Sequence, residues 1–172
     1  MNIDDDDFTL FGLPERFTLD TAKLDQRWRE LQTSVHPDRF AAQGAAAQRV
    51  AMQWSVRVNQ AFQRLKDPLK RAAYLCERRG APVNAERNTA MPRQFLMQQM
   101  EWREALDEAA DGMAVQELAA QVAAHERALL GRLQESFDQY NDVAAAAELL
   151  RALMFVVRFR QDVEQRLDAF ES

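Results

Sequence analysis

The chain is poor in the residues that build disulfides and metal sites. Its 172 residues include one cysteine, Cys76, and two histidines, His36 and His125. One cysteine allows neither an internal disulfide nor a Cys-x-x-Cys metal pair, and the two histidines are too far apart in sequence to form a local ligand motif. The sequence therefore predicts no metal ion and no other cofactor.

Long apolar runs are also missing, since no stretch approaches the roughly 20 consecutive apolar residues that cross a bilayer. The first residues are acidic, with Asp4 to Asp7 where a secretory leader would have a basic segment followed by an apolar run. We therefore expect a cytoplasmic protein. We interpret the acidic run as a solvated tip, because it lacks the loop glycine and the distal glutamate of a calcium-binding loop.

Glycine and proline are scarce, with five of each, whereas 47% of the residues are hydrophobic. Alanine, leucine, glutamine and arginine dominate, and these residues favour helices. Apolar residues recur at spacings of three and four, which is typical of one face of an α-helix, and no segment has a convincing strand pattern. The sequence predicts an all-α protein with seven helical segments, at residues 8–13, 20–35, 45–66, 68–79, 92–110, 115–140 and 142–170.

The periodicity weakens over residues 80–91, which contain glycine, proline and asparagine, so a domain boundary is expected there. We predict an N-terminal domain at 1–80, a linker at 81–91 and a C-terminal domain at 92–172. Short links make the three helices of the second domain antiparallel neighbours, which predicts a three-helix bundle.

Charge is divided unevenly between the two halves. Residues 1–80 carry 13 Lys and Arg against 11 Asp and Glu, whereas residues 81–172 carry nine against 16. This asymmetry suggests two units that face different partners. The first half has no basic stripe interleaved with exposed aromatic residues and the whole chain is acidic, which argues against nucleic-acid binding.

The first helix of the predicted bundle has apolar residues on two sides. At about 100° per residue, one side carries Phe95, Trp102, Leu106 and Ala109. Nearly opposite lie Leu96, Met97 and Met100, beside Glu101, Glu104 and Asp107. Only one side can enter the core, so we interpret the other as an exposed protein-binding patch with an acidic rim. The alternative is that the last helix folds over Leu96 and Met100 and makes them ordinary core. Phe155 or Phe159 of that helix could either extend the patch or fill the bundle.

The tripeptide His36-Pro37-Asp38 follows the helix at 20–35 and precedes a loop that runs to Gly44. A catalytic histidine would need a nucleophile or a metal, and a carboxylate to orient its ring. No G-x-S-x-G motif is present, and Cys76 lies in an apolar helical setting, so an enzyme is disfavoured. From residue types alone the tripeptide is either a helix-ending turn or a docking point.

The surroundings of this tripeptide resemble a J domain. The matching segments are Val35-His36-Pro37-Asp38-Arg39-Phe40, Asn59-Gln60-Ala61-Phe62, Asp67-Pro68 and Arg71-Ala72-Ala73-Tyr74. The whole chain resembles the HscB family of iron–sulfur cluster co-chaperones, through Phe8 to Pro14, Tyr74-Leu75, Phe95-Leu96-Met97, Glu101, Arg103 and Glu104. Met100 and Trp102 stand where leucine is expected in that family. No cysteine pairs precede the J domain as they do in mitochondrial relatives, so a bacterial protein is expected.

The resemblance implies an L-shaped protein with an N-terminal J domain, whose helical hairpin carries His36-Pro37-Asp38 at its loop, and a C-terminal bundle. It implies a co-chaperone and not an enzyme. Such a protein stimulates the ATPase of a HscA-like, DnaK-class chaperone and delivers an IscU-type scaffold to it during iron–sulfur cluster assembly or transfer. One alternative is a general J-domain co-chaperone whose bundle dimerises or holds unfolded clients; another is a purely structural helical protein. We expect a monomer.

The resemblance also assigns residues to each partner. The implied chaperone-binding residues are His36, Pro37, Asp38, Lys23, Arg27, Arg29 and Arg39. The implied scaffold-binding residues are Leu96, Met97, Met100, Glu101, Glu104 and Phe155. Arg39 stands where many J domains have lysine, which keeps the charge without being equivalent at a shaped contact. His125 lies on the apolar stripe of its helix and is interpreted as a bundle-lining residue without a further role.

Overall fold

The computed structural model describes residues 1–83 and 91–172. The chain divides into two compact units, Met1–Arg78 and Arg79–Ser172. Most of the predicted linker, residues 84–90, lies outside the described residues. Within the described part all regular structure is helical, which confirms the all-α prediction. No described helix is long and apolar enough to cross a membrane.

The first unit contains four α-helices and one 3-10 helix. They are α1 (Asp7–Phe11), α2 (Thr21–Val35), the 3-10 helix Pro37–Gln43, α3 (Ala45–Lys66) and α4 (Pro68–Arg78). The prediction of a loop before Gly44 is therefore wrong in detail, because that segment forms a 3-10 helix. Helix α2 begins where Asp20 accepts a hydrogen bond from the Lys23 amide, 3.1 Å away, and it ends just before the His-Pro pair, as the proline rule requires.

Helices α2 and α3 form an antiparallel hairpin. Trp28 on α2 stacks on Phe62 on α3, with 4.9 Å between the ring centroids. One turn further along α2, Gln32 accepts a hydrogen bond from Ser55, which lies earlier on α3. The contacts advance along one helix as they recede along the other, so the helices run in opposite directions. Fully or nearly fully buried apolar side chains fill the unit, among them Phe8, Phe11, Leu24, Leu31, Val58, Leu65 and Leu75.

One acidic residue is placed very differently from the prediction. The run Asp4 to Asp7 was expected to be a solvated tip, but Asp7 is fully buried. Its carboxylate accepts hydrogen bonds from Arg57 at 2.8 Å and from Arg64 at 2.6 Å, both on α3. A buried carboxylate needs such partners, because desolvation would otherwise favour its neutral form. Asp7 therefore ties the start of α1 to α3.

The second unit is a three-helix bundle made of α5 (Arg93–Glu108), α6 (Gly112–Gln134) and α7 (Val143–Glu171). Asp111 and Asp142 cap α6 and α7 by accepting a hydrogen bond from the third amide beyond each cap. Helix α6 starts three residues before the predicted Val115, and a π-helical turn at Glu135–Gln139 ends it. The buried stripe includes Val115, Leu118, Val122, Leu129, Leu133, Leu150, Leu153, Val156 and Val163.

The directions of the three helices follow from their contacts. Phe95 meets Phe155 and Arg103 meets Asp162, so α5 and α7 run in the same direction. Arg160 on α7 pairs with Glu126 on α6, near the middle of both helices, and a tight turn joins these helices. Helix α6 therefore runs opposite to the other two, as short links predict.

Candidate partner-binding sites

The His-Pro-Asp tripeptide forms a turn that its own side chains organise. His36 ends α2 and also caps the 3-10 helix, because its Nδ1 accepts a hydrogen bond from the Asp38 amide at 3.3 Å. Pro37 occupies the first position of that helix. A backbone N–H at this position would have no acceptor within the helix, so the proline costs no hydrogen bond. The Asp38 carboxylate lies 3.7 Å from the same Nδ1 and its side chain is 91% exposed.

Polar contacts between α2 and α3 hold this turn in position. The Trp28 indole and the Gln32 amide both donate to Oδ1 of Asn59, at 3.0 and 2.6 Å. These bonds fix the register of the two helices, and α2 leads directly into the turn. The turn is therefore a rigid, exposed feature that a partner protein can bind without ordering a flexible loop.

The predicted basic residues do not form one surface. On α2, Lys23 and Arg27 are one turn apart and share a face, whereas Arg29 lies about 120° or more from both. Arg39, in the 3-10 helix, donates from Nη1 to the Thr33 carbonyl at 3.0 Å, on the side of α2 that carries Arg29. The structure thus gives two pairs of basic residues on two faces of the hairpin.

Arg27 has a structural role as well as a charge. Its Nε donates to the Phe11 carbonyl at 3.1 Å and its Nη1 pairs with Glu30 at 2.9 Å. The carbonyl lies at the end of α1, just before Gly12, whose φ of +64° ends that helix in the left-handed region. Arg27 therefore holds α1 against α2, and replacing it would affect packing as well as any partner contact.

The predicted patch on the bundle is exposed. Leu96, Met97, Met100 and Phe155 keep 43%, 53%, 71% and 41% of their surface accessible. A groove of about 930 Å³ runs between α5 and α7. Its lining consists of Leu96, Gln99, Met100, Arg103, Glu104, Asp107, Glu108, Phe155, Arg158 and Phe159. Leu96, Met100, Glu104 and Phe155 therefore share one surface, whereas Met97 and Glu101 are exposed on α5 outside this lining.

An aromatic seam fixes α5 beneath this groove. Phe95 contacts Phe155 edge-on at 6.4 Å, and Trp102 stacks on Phe159 at 5.7 Å. His125 on α6 contacts the ring of Trp102 at 5.1 Å, which confirms its interpretation as a bundle-lining residue. Burial lowers the pKa of the His125 imidazole, and the nearby charge of Arg132 lowers it further. The imidazole is therefore held neutral among aromatic rings.

Sequence reasoning missed several residues of the groove. Gln99 and Glu108 lie on α5, like the predicted patch. The helical periodicity of α5 alone does not show which other helix forms the opposite wall of the groove, so it does not show which α5 residues face that wall. Arg158 belongs to α7, more than 50 residues away from Leu96, and Phe159 of the same helix was named only as a residue that could either extend the patch or fill the bundle. Only the register of α7 against α5 shows that these residues lie beside Leu96. No signal in the linear sequence carries that register.

Among the described residues, no group of three or more histidine, cysteine, aspartate or glutamate side chains could hold a metal ion. The two exposed features are a rigid turn on one unit and an apolar groove on the other. A His-Pro-Asp turn at the tip of an antiparallel helical hairpin, in one chain with such a bundle, is the arrangement that the resemblance to a J-domain co-chaperone implies.

Comparison with known proteins gives the family. Residues 91–164 match the family described as the HSCB C-terminal oligomerisation domain. The Co-chaperone protein HscB homolog of Bordetella petrii is 49% identical over 160 residues, covering 92% of this chain and 94% of the relative. The chain belongs to the HscB co-chaperone family.

Two solved structures of this family have the same fold. Chaperone HscB from Vibrio cholerae is 36% identical, with a TM-score of 0.83 over 96% of this chain and 99% of that structure. Human co-chaperone protein HscB is 30% identical, with a TM-score of 0.90 over 96% of this chain and 84% of that structure. The similarity therefore extends over both units.

Proposed function

We propose that this chain is a non-enzymatic adaptor of iron–sulfur cluster assembly in the bacterial cytoplasm. Its first unit stimulates the ATPase of a HscA-like, DnaK-class chaperone, and its bundle delivers an IscU-type scaffold protein to that chaperone. The observation that carries the proposal is the presence of two differently built exposed sites on two separate units of one chain. Holding both partners on one chain raises the local concentration of scaffold at the chaperone.

The first half of the proposal rests on the His-Pro-Asp turn. His36 and Asp38 are exposed on a pre-ordered 3-10 helix, so a partner loses little conformational entropy when it binds them. Two pairs of basic residues, one on each of two faces, would steer an acidic partner surface toward the turn. The pairs are Lys23 with the partly exposed Arg27, and Arg29 with Arg39. The ATP hydrolysis itself takes place in the chaperone.

The second half rests on the groove of the bundle. Its lining combines large apolar side chains with three carboxylates and two arginines, and one of the arginines, Arg103, is already paired with Asp162. Such a lining suits a partner with apolar residues flanked by basic ones. The flexible thioether of Met100 suits adaptable contacts. Monomeric proteins rarely expose such a grouped apolar surface without a binding role.

Single-turnover ATP hydrolysis by a HscA-type chaperone tests both halves, with and without this chain and an IscU-type scaffold. We expect the chain to stimulate hydrolysis and the scaffold to increase that stimulation further. His36→Gln is expected to abolish stimulation and to lower thermal stability only slightly, because the contacts described for His36 lie within its own turn. Full stimulation by His36→Gln would contradict the proposal.

The double variant Leu96→Ala/Met100→Ala is expected to remove the synergy with the scaffold and to keep the basal stimulation. Met113→Ala is its matched control, since Met113 and Met100 are both 71% exposed but lie on different helices. Stimulation that is indifferent to the scaffold would instead favour a general J-domain co-chaperone. Sedimentation of the chain alone would then show whether its bundle dimerises, whereas we expect a monomer.

A further inference from the structure

Gln99 occupies an unusual position in the aromatic seam between α5 and α7. Phe95 precedes it by one turn and Trp102 follows it by one turn, so all three lie on the same side of α5. Those two rings contact Phe155 and Phe159 of α7. Gln99 therefore lies between two aromatic pairs, in a place where leucine or methionine would pack without any polar group.

The side-chain amide of Gln99 is not satisfied there. Its Nε2 is buried, and it finds no hydrogen-bond partner among the described residues. A buried amide donor without an acceptor lowers the free energy of unfolding, because the bonds that it made to water are lost. Arg103, the next polar residue along this side of α5, differs in that it pairs with Asp162 at 3.1 Å. Packing alone therefore gives no reason for an amide at position 99.

Gln99 also lines the groove together with Leu96, Met100 and Phe155. The other polar groups in that lining are charged. Arg103 and Arg158 are cationic donors, of which Arg103 is paired with Asp162 and Arg158 lies over the Phe155 ring. Glu104, Asp107 and Glu108 only accept hydrogen bonds when ionised. Gln99 is the uncharged amide among the described lining residues, so it is suited to a neutral acceptor such as a backbone carbonyl.

Building on the proposed scaffold site, we propose that Gln99 is a specificity-determining residue of the groove. When the scaffold-type partner binds, the Gln99 amide turns outward beside Leu96 and Met100 and donates from Nε2 to a backbone carbonyl of an extended partner segment. The apolar side chains of that segment lie against Leu96, Met100 and Phe155. Binding thus supplies an acceptor that Nε2 does not find among the described residues.

Gln99→Leu separates recognition from packing, because the two roles predict opposite outcomes. We expect the full-length variant to bind a purified IscU-type scaffold about tenfold more weakly by calorimetry, the effect of one lost hydrogen bond in a desolvated site. Its Tm is expected to stay the same or rise, because the unsatisfied amide is gone. Gln98→Leu is the matched control, since Gln98 is the neighbouring glutamine and lines a different pocket; its affinity should change by less than about twofold.

Two outcomes overturn the assignment of Gln99 alone. Undiminished scaffold affinity in Gln99→Leu would show that the amide is not used in recognition. A parallel fall of Tm and affinity would show a packing role. Leu96→Ala in the same series distinguishes these two outcomes from failure of the proposed function. If Leu96→Ala binds the scaffold normally, or if the unsubstituted chain does not bind it, the groove is not the scaffold site. The role proposed for Gln99 would then be wrong as well.

Discussion

In the first unit, polar contacts join segments that are distant in sequence, as when Asp7 binds Arg57 and Arg64 or when Asn59 accepts bonds from α2. In the bundle, aromatic rings join the helices, and the ion pairs Arg103–Asp162 and Arg160–Glu126 are more exposed than the buried Asp7 carboxylate. The candidate sites differ in the same way. The turn on the first unit is made by three consecutive residues, whereas the groove needs two helices in register. The same chain therefore uses local chemistry to present one site and long-range packing to build the other.

Trp102→Ala should have the largest effect on stability. Trp102 is 5% exposed and contacts both Phe159 and His125, so its removal leaves a cavity where three helices meet. We expect the bundle to lose about 4 kcal/mol of unfolding free energy. Urea denaturation followed by circular dichroism would measure the loss, and hydrogen exchange would assign it to the second unit. Phe170→Ala, at an exposed aromatic near the end of α7, is the control; an equal loss in both variants would contradict the importance of the seam.

Asp7→Ala tests the corresponding role of polar contacts in the first unit. Removing the carboxylate leaves two arginine side chains partly buried without their shared partner, which is expected to cost about 3 kcal/mol. Hydrogen exchange should show the loss in α1 and α3 and leave the bundle protected. Asp4→Ala, at an exposed residue of the same acidic run, should change stability by less than about 0.5 kcal/mol. If the two variants behave alike, the buried ion pairs do not hold the unit.

Equivalent helix caps should cost the same in both units, however differently their cores are built. Asp20 caps α2 and Asp111 caps α6 through the same bond from the third following amide, at 3.1 and 2.9 Å. Asp20→Ala and Asp111→Ala are each expected to cost about 1 kcal/mol in urea denaturation. Asp20→Ser and Asp111→Ser should restore most of the loss. A cost confined to one unit would mean that the caps are coupled to the cores.

Local features of the molecule were predictable from sequence, and contacts between distant segments were not. Helix α2 begins at Asp20 and ends before Pro37 because capping and proline geometry depend on neighbouring residues. The exposed side of α5 followed from periodicity within one helix. The burial of Asp7 was missed because its partners lie about 50 residues away, and a run of four aspartates by itself is typical of a solvated tip. Arg158, in the groove wall on α7, was missed for the same reason, whereas Phe155 in that wall was named only through the family resemblance.

The smallest predicted effect concerns His125, through the pH dependence of the bundle. Burial, and then the charge of Arg132, lower the pKa of this imidazole below its ordinary value of 6.5. The unfolded chain therefore takes up a proton near that pH, whereas the folded bundle takes it up only at lower pH. Between the two values the unfolded state binds more protons, so the free energy of unfolding falls as the pH falls.

Urea midpoints of the bundle measured at about pH 7.5 and about pH 5.5 should reveal this slope, and His125→Asn should flatten it. Arg132→Gln should flatten it in part, because it removes the second cause of the lowered pKa and leaves burial in place. The other histidine, His36, lies in the first unit and is unchanged in both variants, so it contributes equally to the measurements that are compared. If the urea midpoint of His125→Asn depends on pH as strongly as that of the unsubstituted chain, the pH dependence comes from other groups. Protonation of His125 would then not affect the aromatic seam.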